Sequence, residues 1–91
     1  MNLQLFHRWQ CPYSARVRDF IDEHGLGEKI DYIEITEVEG AEDKLNQMTG
    51  ASKVPCLVID GQPMLESTEI VQWLQQNLVN SQGGTPSPVQ Q

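Results

Sequence analysis

The chain has 91 residues, of which 38% are hydrophobic and 21% charged, and a formal charge of −7. This length fits one small domain with a thin core, and no apolar run approaches the ~18–20 residues that span a bilayer, so we expect no membrane partner. The acidic charge argues against nucleic acid as a partner, and only two cysteines without a secretory leader pattern predict a cytoplasmic protein.

The first part of the chain predicts a β-α-β unit. Residues 1–6 alternate apolar and polar residues and indicate a short strand. A helix follows, with Pro12 at its first position, where proline is best tolerated. Its apolar face is predicted from three- and four-residue spacing, and comprises Tyr13, Val17, Phe20, Ile21 and His24. The helix ends at Gly25 and Gly27, and residues 30–35 form a second strand, parallel to the first through a right-handed crossover.

The second part of the chain predicts an α-β-β-α order. A short helix carries Ala41, Leu45 and Met48 and ends at Gly50. Residues 54–59 form an apolar strand, and Asp60-Gly61 turns the chain into a further strand at residues 64–65. Ser67 is expected to cap the last helix, whose apolar stripe comprises Ile70, Val71, Trp73, Leu74 and Leu78.

The complete element order is therefore β-α-β-α-β-β-α. It predicts a mixed α/β (α+β) fold of the thioredoxin-like type, with a four-stranded mixed sheet flanked by three helices, over residues 1–79. Residues 80–91 contain mostly Gly, Pro, Ser, Thr and Gln. We expect this C-terminal tail to be disordered, because it has too little apolar surface to bury.

The tetrapeptide Cys11-Pro12-Tyr13-Ser14 carries the clearest chemical signal. It has the form of a dithiol motif, Cys-x-x-Cys, in which a hydroxyl replaces the second sulfur. Cysteine reacts as the thiolate, and the positive end of a helix dipole lowers its pKa. Arg8 and Arg16 are expected to add positive potential, and Ser14 to donate a hydrogen bond to the sulfur. The alternative is an inert cysteine that only caps the helix.

Two other segments are expected to complete a site with Cys11. A proline inside an apolar strand pattern needs an explanation, and we favour a cis Val54–Pro55 bond that leaves the Val54 backbone free to pair with an extended peptide. The alternative is an edge strand that starts at Pro55. The segment 66–68 begins a helix, and exposed N–H groups at helix N-termini bind carboxylates and phosphates. Arginines clustered near Cys11 suit a small anionic ligand, although they also fit a solvated face.

The remaining cysteine and the histidines give weaker signals. Cys56 is predicted to be a buried strand residue rather than a disulfide partner of Cys11. His7, His24 and the two cysteines fit no zinc-binding spacing, so we expect no metal site.

Taken together, these motifs resemble the glutaredoxin and glutathione transferase N-terminal domain families of the thioredoxin-like superfamily, as a monothiol variant, over residues 1–79. The resemblance implies glutathione as co-substrate. It also implies that Arg8 meets a glutathione carboxylate, that Val54 pairs with the glutathione backbone beside Pro55, and that Glu66-Ser67 holds the γ-glutamyl end. Tyr13 lies beside the thiol and is expected to line the same site.

The resemblance implies a glutathione-dependent thiol–disulfide oxidoreductase with Cys11 as the catalytic nucleophile. Its substrates would be glutathionylated proteins or small disulfides. Because Ser14 cannot attack the disulfide between Cys11 and glutathione, a second glutathione would release oxidised glutathione and regenerate the thiolate. Two alternatives stay open. One is a non-catalytic module that docks a protein or carries a [2Fe–2S] cluster, although Pro12 crowds the position where cluster-binding relatives usually have glycine. The other is a transferase-like domain, although the sequence holds no all-helical second domain.

Overall fold

The computed structural model describes residues 1–80, which form a four-stranded sheet packed against three α-helices. The strands are β1 (Leu3–His7), β2 (Asp31–Glu34), β3 (Cys56–Ile59) and β4 (Gln62–Leu65). The helices are α1 (Pro12–Glu23), α2 (Ala41–Thr49) and α3 (Ser67–Leu74). A 3₁₀ turn, Gly27–Lys29, precedes β2, and a π-helical segment, Gln75–Val79, extends α3. The predicted thioredoxin-like fold and its element order are confirmed.

The sheet brings four loop segments to one edge. Its strand order is β2-β1-β3-β4, with β1 parallel to β2 and antiparallel to β3, and β3 antiparallel to β4. In this register His7 pairs with Glu34, and Cys56 pairs with both Phe6 and Leu65. The ends of β1, β2 and β4 therefore lie beside the start of β3, and the residues just beyond them become neighbours.

The hydrophobic core has two layers, one on each face of the sheet. Strand side chains alternate between the faces, so Leu5 and Leu57 point to one layer while Phe6 and Val58 point to the other. The first layer includes residues of α1 and α3, namely Val17, Ile21, Ile70 and Leu74. The second layer includes Ala41 and Leu45 of α2. Because both faces are covered, β1 and β3 can be apolar at consecutive positions.

The structure corrects the predicted apolar face of α1. Its buried residues are Ser14, Val17 and Ile21, whereas Tyr13 and His24, which the spacing placed on the apolar face, are exposed. Tyr13 lies in the first turn, where its side chain lines a surface cleft instead of packing into the core. Ser14 is buried on the side of α1 that faces the preceding loop, and its hydroxyl is satisfied there by a hydrogen bond that it accepts from the Arg8 amide, at 3.3 Å.

Several strand boundaries also differ from the sequence expectation, among them the start of β4, which is Gln62 rather than residue 64. β1 begins at Leu3, two residues later than expected, and ends at His7, one residue later than expected. β3 begins at Cys56 rather than at residue 54. The turn at Asp60-Gly61 is confirmed, and both residues have positive φ, 49° and 88°, as a tight two-residue hairpin requires.

The predicted C-terminal tail lies outside the described residues from position 81 onward. Within residues 1–80, no helix is long and apolar enough to cross a membrane.

Leu57 offers a direct test of the core. Its side chain is fully buried in the first layer, so we expect Leu57→Ala to lower the free energy of unfolding by about 2–5 kcal/mol, through lost burial and a residual cavity. Denaturant unfolding followed by far-UV circular dichroism measures it. Val38→Ala, at an exposed apolar residue, is the control and should change stability by less than about 0.5 kcal/mol. Equal effects of the two changes would contradict this core assignment.

Candidate functional site

Cys11 lies at the N-cap of α1, with Pro12 in the first turn as predicted. Its extended backbone (φ −88°, ψ 118°) turns the chain from the loop into the helix, and its carbonyl accepts the first helical hydrogen bond from Ala15 at 3.0 Å. The sulfur accepts a hydrogen bond from the Ser14 amide, at 3.4 Å. One of the unpaired N–H groups of the helix N-terminus is therefore directed at the thiol.

The surroundings of Cys11 lower the pKa of its thiol. Burial is the largest single influence and raises the pKa, but it is outweighed by the lowering effects together, of which the hydrogen bonds from the backbone and side chain of Ser14 are the largest. The Tyr13 backbone and the positive charge of Arg18 lower it further. The sequence assigned that charge to Arg8 and Arg16, whereas in the structure Arg18 acts on the thiol. The net effect favours the thiolate, which is the reactive form.

The Val54–Pro55 segment lies next to the thiol. The peptide bond between the two residues is cis in the structure, the isomer that the sequence favoured. The Cys11 sulfur lies 3.9 Å from the Val54 carbonyl oxygen, to which the protonated thiol donates. Because Val54 precedes β3, neither of its backbone polar groups is used by the sheet ladder. A bound peptide-like ligand can therefore pair with it.

Two adjoining clefts flank this segment. The larger, of about 340 Å³, is lined by Tyr13, Arg16, Lys53, Val54, Pro55, Leu65, Glu66, Ser67 and Thr68. The smaller, of about 260 Å³, is lined by Arg8, Gln10, Cys11 and Val54. Val54 contributes to both, so the structure brings the predicted site residues together around one backbone segment. Arg8 lines the smaller cleft, whereas Glu66 and Ser67 line the larger one.

The start of α3 differs from the sequence prediction. Ser67 is the first helical residue rather than the cap, and the N-cap is Glu66, which makes no side-chain capping hydrogen bond. Glu66 has a positive φ of 76°, which is unusual for a residue with a side chain. Its carboxylate lies 3.8 Å from the Lys53 ammonium, and both side chains are largely exposed. The first N–H groups of α3 therefore face the larger cleft without a side-chain cap.

Residues 5–82 match the family described as glutathione S-transferase, N-terminal domain. The chain belongs to this family. No curated protein matches the chain at a significant level.

Solved structures of two kinds share the fold. A glutathione transferase family member from Pseudomonas fluorescens Pf-5, with bound glutathione, is 28% identical with a TM-score of 0.71, over 82% of this chain and 38% of its own. A diazinon-metabolizing glutathione S-transferase from the silkworm Bombyx mori is 22% identical with a TM-score of 0.71, over 94% of this chain and 41% of its own. The holo form of glutaredoxin C1 from Populus tremula x tremuloides is 22% identical with a TM-score of 0.62, over 85% of this chain and 77% of its own. The chain thus spans about two fifths of these transferases and most of this glutaredoxin.

Sequence reasoning missed Glu34, which organises the loop before Cys11 in this transferase-family domain. This carboxylate is only 5% exposed and accepts hydrogen bonds from the amides of Trp9, Thr36 and Glu37 at 2.9, 2.6 and 3.1 Å. The Thr36 hydroxyl donates another, at 2.6 Å. These bonds, with the Thr36 hydroxyl contributing most, lower the pKa of Glu34 to about 2 in spite of burial. Only the parallel register of His7 with Glu34 puts this carboxylate under the loop.

Neither Cys56 nor the histidines line the two clefts beside Val54. Cys56 is fully buried and free, as expected, and burial raises the pKa of its thiol. His24 is exposed at the end of α1, whereas His7 is buried at the end of β1. Residues 1–80 contain no group of three or more His, Cys, Asp or Glu side chains arranged to hold a metal ion.

The hydrogen bonds to Glu34 predict a specific pH dependence of stability. Because its pKa in the folded state is depressed to about 2 from an ordinary value of 4.5, its contribution is complete above about pH 5 and is lost as the pH falls toward 2. The Gln side chain of Glu34→Gln cannot titrate, and its NH2 group would face N–H and O–H donors that now bind the carboxylate. We therefore expect this variant to be less stable than the wild type at pH 7. The difference should shrink between pH 5 and pH 2, as measured by urea unfolding.

A matched control for this experiment is Glu39→Gln, at an exposed loop carboxylate. Its stability should follow the wild-type pH dependence throughout. If the curves of wild type and Glu34→Gln ran parallel over this range, the carboxylate would not be held in its charged form by the fold.

Proposed function

We propose that the protein is a glutathione-dependent thiol–disulfide oxidoreductase that reduces mixed disulfides of glutathione by a monothiol mechanism. The observation that carries the proposal is the activated Cys11 thiol beside the Val54 backbone, at the junction of two clefts. The family membership and the relative with bound glutathione support the choice of ligand. The cytoplasm, where glutathione is reduced and abundant, is the proposed location.

The first half of the proposed reaction transfers glutathione to the enzyme. The Cys11 thiolate attacks the glutathione sulfur of a mixed disulfide, and a new bond forms between these two sulfurs. The bond from glutathione to the target sulfur breaks, and the target leaves as a thiolate that takes a proton from water. The lowered pKa of Cys11 increases the fraction of the attacking thiolate at neutral pH.

The second half requires a second glutathione. Ser14 carries no sulfur, and its hydroxyl is engaged with the Arg8 amide, so no resolving group lies within the motif. A glutathione thiolate attacks the glutathione sulfur bound to Cys11, oxidised glutathione leaves, and Cys11 returns as the thiolate. The two steps together consume one free glutathione, which leaves in oxidised glutathione with the glutathione half of the mixed disulfide, and the target sulfur is released as a thiol.

The chemistry of the cleft residues fits the two ends of glutathione. The carboxylate of Glu66 suits the ammonium group of the γ-glutamyl end, and the free N–H groups at the start of α3, beside Ser67, suit its carboxylate. Val54 is placed to pair with the peptide backbone. On the other side, Arg8 suits the glycine carboxylate, and Tyr13, 64% exposed, forms a wall of the larger cleft.

The decisive experiment compares wild type with Cys11→Ser in the reduction of a glutathione–peptide mixed disulfide, followed by the release of oxidised glutathione. We expect Cys11→Ser to lose at least about 1,000-fold in kcat/KM, because a hydroxyl does not attack a disulfide at neutral pH. Cys56→Ser is the control and should keep turnover, since that thiol is buried. Equal activity of wild type and Cys11→Ser would remove the proposed function.

Glu66 allows binding to be separated from stability. We expect both Glu66→Ala and Glu66→Gly to raise the KM for glutathione about tenfold, because both lose the carboxylate. Glu66→Gly should be about 1 kcal/mol more stable than Glu66→Ala, since glycine tolerates φ of 76° and alanine does not. Glutathione titration of the rate and urea unfolding measure the two effects.

The control for Glu66 is Lys53→Met, which removes the partner of the exposed ion pair. It should change the unfolding free energy by less than about 1 kcal/mol, as exposed pairs contribute little. An unchanged KM in both Glu66 variants would contradict the proposed role of this carboxylate.

A second candidate function, transfer of glutathione to an electrophile, is supported by the family match and by Glu66-Ser67 in the cleft. The two functions differ in the fate of the sulfur. A transferase would form a stable thioether from an aryl halide and glutathione, whereas the oxidoreductase would consume a mixed disulfide and produce oxidised glutathione.

A further inference from the structure

We propose that Arg18 is a positioning residue for Cys11. The Arg18 guanidinium fixes the loop Arg8–Gln10 in the conformation that presents the Cys11 thiol at the start of α1. The consequence for turnover rests on the proposed function, while the effects on thiol reactivity and on the loop do not.

The helical repeat puts Arg18 on the same side of α1 as Cys11 and Ser14. Arg18 follows Ser14 by four positions and Cys11 by seven, which correspond to about one and two helical turns. Its long side chain extends toward the N-terminus of the helix, as side chains in helices do, and reaches the loop. Arg16 lies at a different angle around the helix and lines the larger cleft instead.

The guanidinium of Arg18 contacts the loop at three points. It donates hydrogen bonds to the carbonyl oxygens of Arg8 and Trp9, at 3.1 and 3.4 Å. Its central carbon also lies 4.8 Å from the centre of the Trp9 ring, within cation–π range. The Arg8 carbonyl accepts the Cys11 amide as well, at 3.2 Å. Arg18 and the backbone of Cys11 thus bind the same carbonyl oxygen, that of Arg8.

His7 fixes the guanidinium from the other side. Its Nδ1 lies 3.0 Å from the Arg18 guanidinium, and the ring is almost completely buried between the edges of Trp9 and Tyr32. Because a guanidinium can only donate hydrogen bonds, Nδ1 must accept, and the ring carries its proton on Nε2. Burial and the charge of Arg18 lower the pKa of His7, with Glu34 opposing them. A neutral His7 therefore orients the guanidinium.

The loop is held by complementary groups from two elements. Arg18 of α1 binds its carbonyl groups, while Glu34 of β2 binds the Trp9 amide. The Trp9 indole also donates to the Glu37 carboxylate, at 3.1 Å. Lysine could not replace Arg18, because a single ammonium lacks the planar fork that reaches His7 and both carbonyls at once.

The main experiment measures the alkylation rate of Cys11 by iodoacetamide from pH 5 to pH 10 in Arg18→Met and Arg18→Lys. A Cys56→Ser background leaves Cys11 as the only thiol. Arg18→Met should shift the profile by about one pH unit upward, so that the rate at neutral pH falls about tenfold. Arg18→Lys keeps the charge but loses the planar fork, and we expect it to shift the profile upward by at least half as many pH units as Arg18→Met does. Lys29→Met, a charge removed outside both clefts, should leave the profile unchanged.

A second readout reports on the loop directly. In a Trp73→Phe background Trp9 is the only tryptophan, and acrylamide quenching measures how exposed it is. Trp9 is 52% exposed in the structure, so release of the loop should raise the quenching constant in both Arg18 variants. Thermal unfolding of each variant confirms that the measurements concern folded protein.

The outcomes separate this inference from the proposed function. If folded Arg18→Lys showed the wild-type alkylation profile and wild-type quenching, the positioning role would be overturned. If folded Arg18→Met showed them too, Arg18 would have no role at the thiol. If instead wild type shows no turnover of mixed disulfides but Arg18→Met still shifts alkylation and quenching, the proposed function fails while the positioning role stands.

Discussion

The position of Cys11 depends on the contacts that hold the short loop between β1 and α1. Glu34 binds the amide of Trp9 from below, and Arg18 binds the carbonyls of Arg8 and Trp9 from the helix. Without these partners the loop would expose polar backbone groups next to the sheet edge and could adopt many conformations. With them, the thiol has one place at the helix N-terminus, and the two clefts around it have fixed walls.

The proton on the Cys11 sulfur is subject to two opposed contacts. The Ser14 amide donates to the sulfur at 3.4 Å and stabilises the thiolate, whereas the Val54 carbonyl, at 3.9 Å, accepts only from the protonated thiol. The amide is the closer of the two and is assisted by the charge of Arg18, which agrees with the lowered pKa. A ligand that pairs with Val54 would use the same backbone segment that contacts the thiol. Such a ligand would therefore couple binding to the reactivity of the thiol through Val54.

The order of elements and much of the candidate site could be predicted from local patterns. The strand–cysteine–proline–helix succession, the hairpin at Asp60-Gly61 and the proline at position 55 each depend on short-range backbone chemistry. The capping of α3 could not be predicted, because Ser67 is a common cap and nothing local shows that Glu66 takes that position with a positive φ. The burial of Ser14 was missed for a similar reason, since its partner is the Arg8 amide in the preceding loop.

The sequence by itself determined that a cysteine would stand at a helix N-terminus in a small α/β domain, because helix start signals and hydrophobic periodicity are local properties. Tertiary structure alone decided which charges act on that cysteine. The charge of Arg18, which binds the loop before Cys11, lowers the pKa of the thiol, and Glu34, from a strand more than twenty residues away, holds the same loop. The reason is physical: electrostatic and hydrogen-bond energies depend on distances in space, and those distances are set by the strand register and the packing of α1 on the sheet.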